Sequence, residues 1–309
     1  MLIFTLLFWL TQLSNKVPNI IDYSIPELVA KYPELRKVAF ADDQEVLPEL
    51  LKNVGEGVEV LFRDIPNTCS VEDVRSEVLD PQGNVIRIAS KRFQYLLIAH
   101  RANEKADAGG KSGSNPGKFA HDSVIIEEFR TSPNGKEENI LEWTTSFVVT
   151  KDFASIPLYL HPLYRDETKY RYLGRDADGT HVIAFAQDPA IARIHGSAAD
   201  MTGKTLPTFL HGFVWVDPQT YQILRMRTDS LPGIDSGDLR YATTHLTFEN
   251  VSFSAASRSL RLPHEVLVLT EWLGGIRVRN RHRYSNYRLF TVNAEENKNR
   301  SILKKPGSE

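Results

Sequence analysis

Apolar and polar residues alternate along most of the chain after about residue 70, with the period of two that is typical of β-strands with one buried face. The clearest example is GFVWVDPQTYQILRMR, residues 212–227, in which two apolar runs flank a turn signal. Pro218 presets φ for the second position of a four-residue turn, and the Asp217 side chain can accept a backbone hydrogen bond two residues on. The segment therefore predicts a β-hairpin. Its second strand alternates apolar and charged side chains, namely Leu224, Arg225, Met226 and Arg227.

The same alternation predicts eleven strands, most of them separated by turn signals rich in Gly, Pro, Asp and Ser. No shift in composition marks a linker and no internal repeat is evident, so we expect one domain over residues 16–293 followed by a polar tail at 294–309. The predicted strands are residues 70–80, 84–101, 121–131, 168–175, 181–187, 192–198, 209–216, 221–229, 241–253, 259–270 and 276–291.

A different period precedes the strands. Between residues 24 and 65 apolar side chains recur every three or four positions, which predicts helix with one buried face. Residues 42–45 resemble a capping box, and Pro48 should either kink the helix or mark its real start. Gly55 and Gly57 each weaken a helix by about 1 kcal/mol relative to alanine, so they indicate a break or the close approach of another backbone.

The first residues form an apolar segment of their own. Residues 1–10 are apolar except for Thr5, a run too short to cross a bilayer, which takes about 20 residues. Residues 1–15 therefore predict either a signal-peptide core, which implies an exported and periplasmic protein, or an apolar helix packed against the fold. We expect no transmembrane span.

Composition excludes several classes of function. The formal net charge of -2 argues against binding of nucleic acid or another polyanion by the protein as a whole. The single cysteine, Cys69, excludes a disulfide framework and a cysteine-rich zinc site, and we expect it to be a small, half-buried residue.

No motif for catalysis or for cofactor binding is present. The nine histidines form no HxxxH or HxH pair and the chain has no GxSxG, so we predict no metal, no cofactor and no enzymatic activity. The Gly-rich residues 102–118 contain GGKS but lack the first glycine of a phosphate loop, and they predict a surface loop. Residues 138–160 predict a helical or irregular crossing segment.

One local pattern is typical of anion recognition. In GIRVRNRHRYSNYR the arginines Arg277, Arg279, Arg281 and Arg283 recur with a period of two, which places all four on one face of a strand. The face either recognises an acidic ligand or partner, or is a solvated surface paired with carboxylates on neighbouring strands. For the second case the candidate partners are Glu249, Glu265 and Glu271.

The order of these elements resembles the lipoprotein-sorting superfamily of bacterial periplasmic proteins, the LolA and LolB carriers and their relatives. An acidic helical region comes first, about eleven antiparallel strands follow, and four short motifs match. They are VWVDP at residues 214–218, an I-x-R pattern at 223–225, an F-x-x-V pattern at 248–251 and Leu-Pro at 262–263. The resemblance covers about residues 42 to 293.

The resemblance implies a curved, incompletely closed antiparallel β-barrel of about eleven strands covered by helices, with an apolar cavity that binds an acyl chain, lipid or lipoprotein. The residues that would fill or line the cavity are Phe213, Trp215, Leu224 and Met226. One alternative is a structural or interaction module of a cell-envelope complex with a filled core, which a protein partner contacts at a sheet edge or at the arginines. The other, a hydrolase, needs a nucleophile and a base that meet only in the folded chain.

Overall fold

The computed structural model describes residues 19–101, 124–133, 153–199, 205–232, 238–253 and 259–290. The segment 1–15, the loop 102–118, most of the crossing segment 138–160 and the tail 294–309 lie outside them. The chain is mainly β, as its alternation predicts. Its strands are β1 Ala39–Phe40, β2 Thr68–Leu79, β3 Val85–Arg101, β4 Val124–Thr131, β5 Thr168–Arg175, β6 His181–Gln187, β7 Gly196–Ala199, β8 Thr205–Thr208, β9 Leu210–Val216, β10 Ile223–Ser230, β11 Leu239–Ser252, β12 Ser259–Trp272 and β13 Arg277–Leu289.

Eleven of these strands form one antiparallel sheet in the order β1-β5-β6-β9-β10-β11-β12-β13-β2-β3-β4, and β7 and β8 form a separate hairpin. The strands β1 and β4 are the two edges and do not pair with each other, so the barrel is not closed. This confirms the predicted fold class. The Asp217 turn is also confirmed, because it joins β9 to β10 and the Asp217 carboxylate accepts the backbone N–H of Gln219 at 3.0 Å and of Thr220 at 2.7 Å.

The sheet must be strongly curved. Eleven strands at a spacing of about 4.8 Å would be about 48 Å wide if they lay flat. A single 3-10 helix, Phe153–Leu160, contacts strands near both edges of the sheet. The backbone N–H of Ala154 donates to Glu128 on β4, and the Tyr159 carbonyl accepts from the Tyr170 hydroxyl on β5. Eight residues of 3-10 helix are only about 16 Å long, so the strands wrap around this helix, which we call the inner 3-10 helix.

One strand prediction was wrong. The predicted strand 192–198 is irregular from residue 192 to 195, and only its last three residues belong to a strand, β7 of the small β7–β8 hairpin. The backbone N–H groups of Ile191 and Ala192 donate to the Asp188 carbonyl, which continues the Asp188-Pro189 turn and removes these groups from strand pairing. The eleventh strand of the large sheet is instead β1, which is two residues long.

The helical region is shorter and more broken than its periodicity predicts. It consists of the 3-10 helices Ile20–Asp22 and Pro33–Lys37 and the α-helices α1 Ile25–Lys31 and α2 Leu47–Asp64. The capping box occurs at Ser24 and Glu27 rather than at residues 42–45. Pro48 lies in the first turn of α2, where it has no hydrogen bond to lose, and so marks the start of the helix. Among the described helices, none is both long enough and apolar enough to span a membrane.

Among the described residues, the two largest apolar cores lie on opposite faces of the sheet. The inner core is formed by the concave face of the sheet, α2 and the inner 3-10 helix. A Cβ on Gly55 of α2 would lie 3.2 Å from the Leu160 carbonyl, so glycine allows this close approach, whereas Gly57 has no neighbour within 4 Å. The outer core is formed by the N-terminal helices packed on β5, β6 and β9, and includes Leu28, Leu35, Val182, Phe213 and Trp215.

Candidate functional site

The four candidate cavity residues do not share one surface. Phe213 and Trp215 belong to the outer core, beneath the N-terminal helices, while Val214 and Met226 belong to the inner core. Leu224 lies at a shift in strand register between Ile223 and Arg225, and Ile223 takes the inward position instead. The expectation that all four residues fill or line one cavity is therefore corrected. Contact of any of the four with a ligand stays a prediction.

The Trp215 side chain contacts both Asp176 and Arg225. Its indole N–H donates to Oδ2 of Asp176 at 3.1 Å. The guanidinium of Arg225 lies 3.9 Å from the ring centroid and donates to the same carboxylate oxygen at 2.8 Å. The side chain is buried, so Trp215 fills a core in which its polar atom is satisfied.

The structure places the four arginines of β13 on the outer face of the sheet. Burial alternates along the strand: Val278, Asn280, His282 and Tyr284 are buried, while Arg281 and Arg283 between them are exposed. The face opposite the arginines is therefore the concave one, which faces the inner core.

Carboxylates on the neighbouring strands pair with the arginines. Arg283 donates to Glu265 at 2.8 Å, Arg277 lies 3.3 Å from Glu271, and Arg281 lies 3.9 Å from Glu265. Arg279 pairs with Glu77 on β2, which the sequence reasoning did not name. The third candidate partner, Glu249, pairs with His264 and not with the arginines.

Three of these arginines, Arg279, Arg281 and Arg283, border a groove of about 710 Å³ on the outer face, which we call the arginine groove. At its centre Arg281 is directly opposite Arg75 on the adjacent strand, an arrangement of like charges that costs stability. Cations outnumber carboxylates along the lining, which consists of Asp73, Val74, Arg75, Glu77, Ser90, Lys91, Arg92, Leu267, Arg279, Arg281 and Arg283. The groove therefore has the charge and the open space to take an anion.

The concave face carries a second group of polar side chains, which we call the inner polar cluster: Glu72, Tyr95, Arg130, His282 and Tyr284. Glu72 is its hub. The carboxylate accepts from Nε of Arg130 at 2.5 Å and Nη2 at 2.8 Å, from the Tyr284 hydroxyl at 2.8 Å, and contacts Nδ1 of His282 at 2.9 Å. The side chains of Glu72, Arg130 and His282 are fully buried.

The ionisation of this cluster follows from its contacts. Burial opposes the charged form of Glu72, but the Arg130 charge and the hydrogen bonds from His282 and Arg130 outweigh it and lower the pKa of the carboxyl to about 2. Burial lowers the pKa of His282, and the attraction of Glu72 only partly offsets this. The cluster therefore holds one ion pair and a neutral imidazole, whose Nδ1–H donates to Glu72 and whose Nε2 is an acceptor.

Several atoms of the cluster have no hydrogen-bond partner. They are the Tyr95 hydroxyl, Nη1 of Arg130 and Nε2 of His282, and the neighbouring Ser70 hydroxyl on β2 is also unpartnered. Ser70, Tyr95 and Arg130 are direct cross-strand neighbours on β2, β3 and β4, so they lie in one row on the concave face. Buried polar groups without partners are costly, and each donor in this row can bind a polar atom of a ligand or a water molecule.

The pH dependence of stability tests the ionisation of Glu72. Because its pKa is lowered on folding, Glu72 stabilises the protein fully above pH 4.5, and this contribution is lost as the pH falls towards 2. We expect the loss to be about 3 kcal/mol. The measurement is urea unfolding of the native protein and of Glu72→Gln from pH 7 to pH 2. The difference in the free energy of unfolding between the two proteins should narrow as the pH falls. A difference that stays constant with pH would exclude a strongly lowered pKa of Glu72.

Other residues singled out in the sequence have modest roles. Cys69 lies on β2, is half-buried and is not disulfide-bonded.

In the described part of the chain, no three His, Cys, Asp or Glu side chains are arranged to hold a metal ion. No hydrogen bond between described residues joins a histidine nitrogen to Ser, Thr or Cys, as a hydrolase nucleophile and base would require.

Distant structural matches to this chain include two bacterial proteins. No protein-family model matches the chain, and no curated protein matches its sequence. A LolA superfamily protein from Nitrosomonas europaea is 12% identical, with 79% of this chain and 96% of that chain covered and a TM-score of 0.36. A DUF1329 family protein from Desulfovibrio piger is also 12% identical, with 84% and 100% covered and a TM-score of 0.39. Similarity at this level says nothing about what the chain binds.

Proposed function

We propose that this protein is a non-enzymatic, exported cell-envelope protein that binds the acyl chain of a lipid or lipoprotein against the concave face of its sheet. The observation that supports this most directly is that an apolar concave face ends at the inner polar cluster, whose polar atoms are partly unpartnered. An amphipathic ligand needs both surfaces. Its chain is bound through apolar area removed from water, at about 25 cal/mol per Å², and its polar end through hydrogen bonds.

The charge of the cluster favours a neutral polar group on the ligand. Glu72 already neutralises Arg130, so a free carboxylate would add an unbalanced negative charge to a buried site. The carbonyl oxygen of an acyl ester or amide would instead accept from Nη1 of Arg130 and from the Tyr95 hydroxyl, which are both unpartnered donors. Acylated glycerol and N-acylated peptides carry such carbonyls.

The inner 3-10 helix is the element that would make room for the chain. Its residues Phe153, Ala154, Tyr159 and Leu160 are buried in the inner core. It is less stable than α2 because 3-10 hydrogen bonds have poorer geometry and because Pro157 inside it has no N–H to donate. Elements of low local stability are the ones that open for ligands, so an entering chain would displace this helix and keep α2 in place.

The second candidate function is the interaction module with a filled core, and one observation favours it. The arginine groove lies on the outer face, and a smaller cavity of about 180 Å³ lies between the start of α2 and the Asp217 turn. The groove has no lining residue from the inner core, and the smaller cavity reaches that core only at Leu50 and Tyr221. If the inner helix does not move, the described residues offer surfaces for a partner, and neither cavity extends far enough into the inner core to hold an acyl chain.

Ligand analysis separates the two candidates. Native mass spectrometry of protein purified without detergent from a bacterial envelope, followed by lipid extraction, should find a phospholipid or an acylated peptide. A fluorescent fatty-acid methyl ester should also bind more tightly than the free acid. An empty protein that takes up neither probe would support the filled-core module.

The Tyr95→Phe variant tests the site itself. The Tyr95 hydroxyl is buried without a partner, so its removal should leave the free energy of unfolding unchanged or raise it slightly. Affinity for the ester should fall about fivefold to tenfold, because one hydrogen bond contributes about 1 kcal/mol. Tyr241→Phe is the matched control, since the Tyr241 hydroxyl is hydrogen-bonded to the Thr243 hydroxyl near Tyr32 of the outer core: it should lose stability and keep its affinity. Equal affinities in the native protein and Tyr95→Phe would remove Tyr95 from the site.

A further inference from the structure

Exposed apolar side chains are concentrated at two adjacent hairpin ends. Among the described residues eight large apolar side chains are exposed, and five of them lie beside the β2–β3 and β12–β13 turns, with exposures between 42% and 65%. These five, which we call the apolar tips, are Val85, Ile86, Ile88, Leu273 and Ile276. The two turns are in contact, because Nη2 of Arg277 donates to the Pro81 carbonyl at 2.8 Å. Most of the exposed large apolar side chains of the described residues are therefore in one place.

The apolar tips adjoin the arginine groove. Ile88 on β3 is the cross-strand neighbour of Glu77, which is in turn opposite Arg279, so Ile88 lies on the same outer face as the arginines. Ile276 directly precedes Arg277, the first arginine of β13. Among the described residues, the N-terminal helices pack on the outer face over β5, β6, β9 and β10, in the other half of the sheet.

The groove has an excess of positive charge. Five arginine and two carboxylate side chains line it on the outer face, while the sixth cationic residue, Lys91, has its ammonium over the Phe93 ring on the concave face. Arg281 shares Glu265 with Arg283, and Arg279 shares Glu77 with Arg75, so the carboxylates do not neutralise the arginines one for one. Guanidinium groups with such shared partners can still donate to phosphate oxygens, for which their geometry is well suited.

We propose that this face docks the protein on an anionic lipid surface, with the apolar tips inserted among the acyl chains and the arginine groove against the phosphates. Aliphatic side chains beside a basic surface are the two features that bind proteins to membrane interfaces, and each strengthens the other. An acidic peptide lying in the groove would satisfy the charge and leave the apolar tips in water. The combination therefore favours a membrane over an acidic protein partner.

Cosedimentation with vesicles tests the proposal. The native protein should bind vesicles of phosphatidylglycerol and phosphatidylcholine and bind vesicles of phosphatidylcholine alone far more weakly. Binding should weaken when NaCl rises from about 0.1 M to about 1 M, because the screening length falls from about 10 Å to about 3 Å. Equal binding to both vesicle types, or no effect of salt, would overturn the electrostatic part of the proposal.

Two double variants and one control assign the binding to residues. Ile86→Ser with Leu273→Ser should weaken binding by about tenfold or more, and Arg281→Gln with Arg283→Gln should do the same. Ile191→Ser with Leu163→Ser changes side chains of similar exposure elsewhere and should bind as the native protein does. Unchanged binding by the tip variant would overturn the proposal. So would binding of a glutamate-rich peptide by a protein that leaves anionic vesicles unbound, which would indicate an acidic protein partner.

The same variants separate this inference from the proposed function. Both sets of substitutions lie outside the inner core, so uptake of the fluorescent ester should be the same in every variant. Lost vesicle binding with normal ester uptake supports membrane docking alone. Normal vesicle binding by a protein that takes up no ester supports docking and contradicts the acyl-chain proposal.

Discussion

Replacement of Glu72 by alanine is expected to lower the free energy of unfolding by about 3 to 5 kcal/mol. The substitution leaves Arg130 charged and fully buried, and it also removes the acceptor for Tyr284 and His282. Urea unfolding at pH 7 measures the change. Glu265→Ala is the matched control: Glu265 pairs with Arg283 at the surface, where an ion pair contributes less than about 1 kcal/mol.

A double substitution shows whether the loss comes from the unpaired charge. Glu72→Met combined with Arg130→Met removes both charges, and buried ion pairs can often be replaced by apolar side chains of similar volume at little cost. The double variant should therefore be more stable than Glu72→Ala. If it is equally unstable, the role of Glu72 is to order Tyr284 and His282 rather than to neutralise Arg130.

Replacement of Trp215 by alanine should have an effect of similar size. Trp215 is buried in the outer core, and deleting a buried tryptophan side chain costs about 3 to 5 kcal/mol. Trp215→Phe keeps most of the packing and loses the hydrogen bond to Asp176, so it should cost about 1 kcal/mol. Both changes are measured by urea unfolding.

The Trp215 result also bears on the ligand. In the outer core Trp215 lies beneath the N-terminal helices, so we expect its loss to reduce stability and to leave acyl-chain affinity unchanged in the fraction that is folded. Nearly native stability together with lost affinity would mean that Trp215 lines an open cavity. Trp272→Ala is the control. Trp272 is half-buried and its indole N–H donates to Thr270 at 3.0 Å, so its replacement should lower the free energy of unfolding by less.

Much of the inner polar cluster could not be predicted from the sequence. Alternation along β13 predicts that His282 and Tyr284 lie opposite the arginines, and the structure agrees. Their partner Glu72 lies 210 residues away from His282, and Arg130 lies 58 residues from Glu72. No short-range pattern links β13, β2, β3 and β4, four strands that become consecutive only when the sheet forms, so the ion pair and the unpartnered donors beside it were not expected.

The two faces of β9 illustrate the same limit. The hairpin and the shared face of Phe213 and Trp215 follow from a period of two. Every residue from His211 to Val216 is buried, because the sheet has a core on each side at this point. Burial on both sides removes the contrast between apolar and polar positions, so the pattern does not reveal which face is the concave one.

The sequence by itself determined the features that depend on neighbouring residues: the alternation of the strands, the Asp217 turn and the placement of four arginines on one face of a strand. These are set by backbone sterics and by the period of each element, which act over a few residues. The tertiary structure alone decided which strands are adjacent, and hence that Glu72 neutralises Arg130, that Arg75 is opposite Arg281, and that two hairpin ends combine their exposed side chains. Strand pairing joins residues that are far apart in the chain, and it is governed by the sum of many weak contacts that no single segment contains.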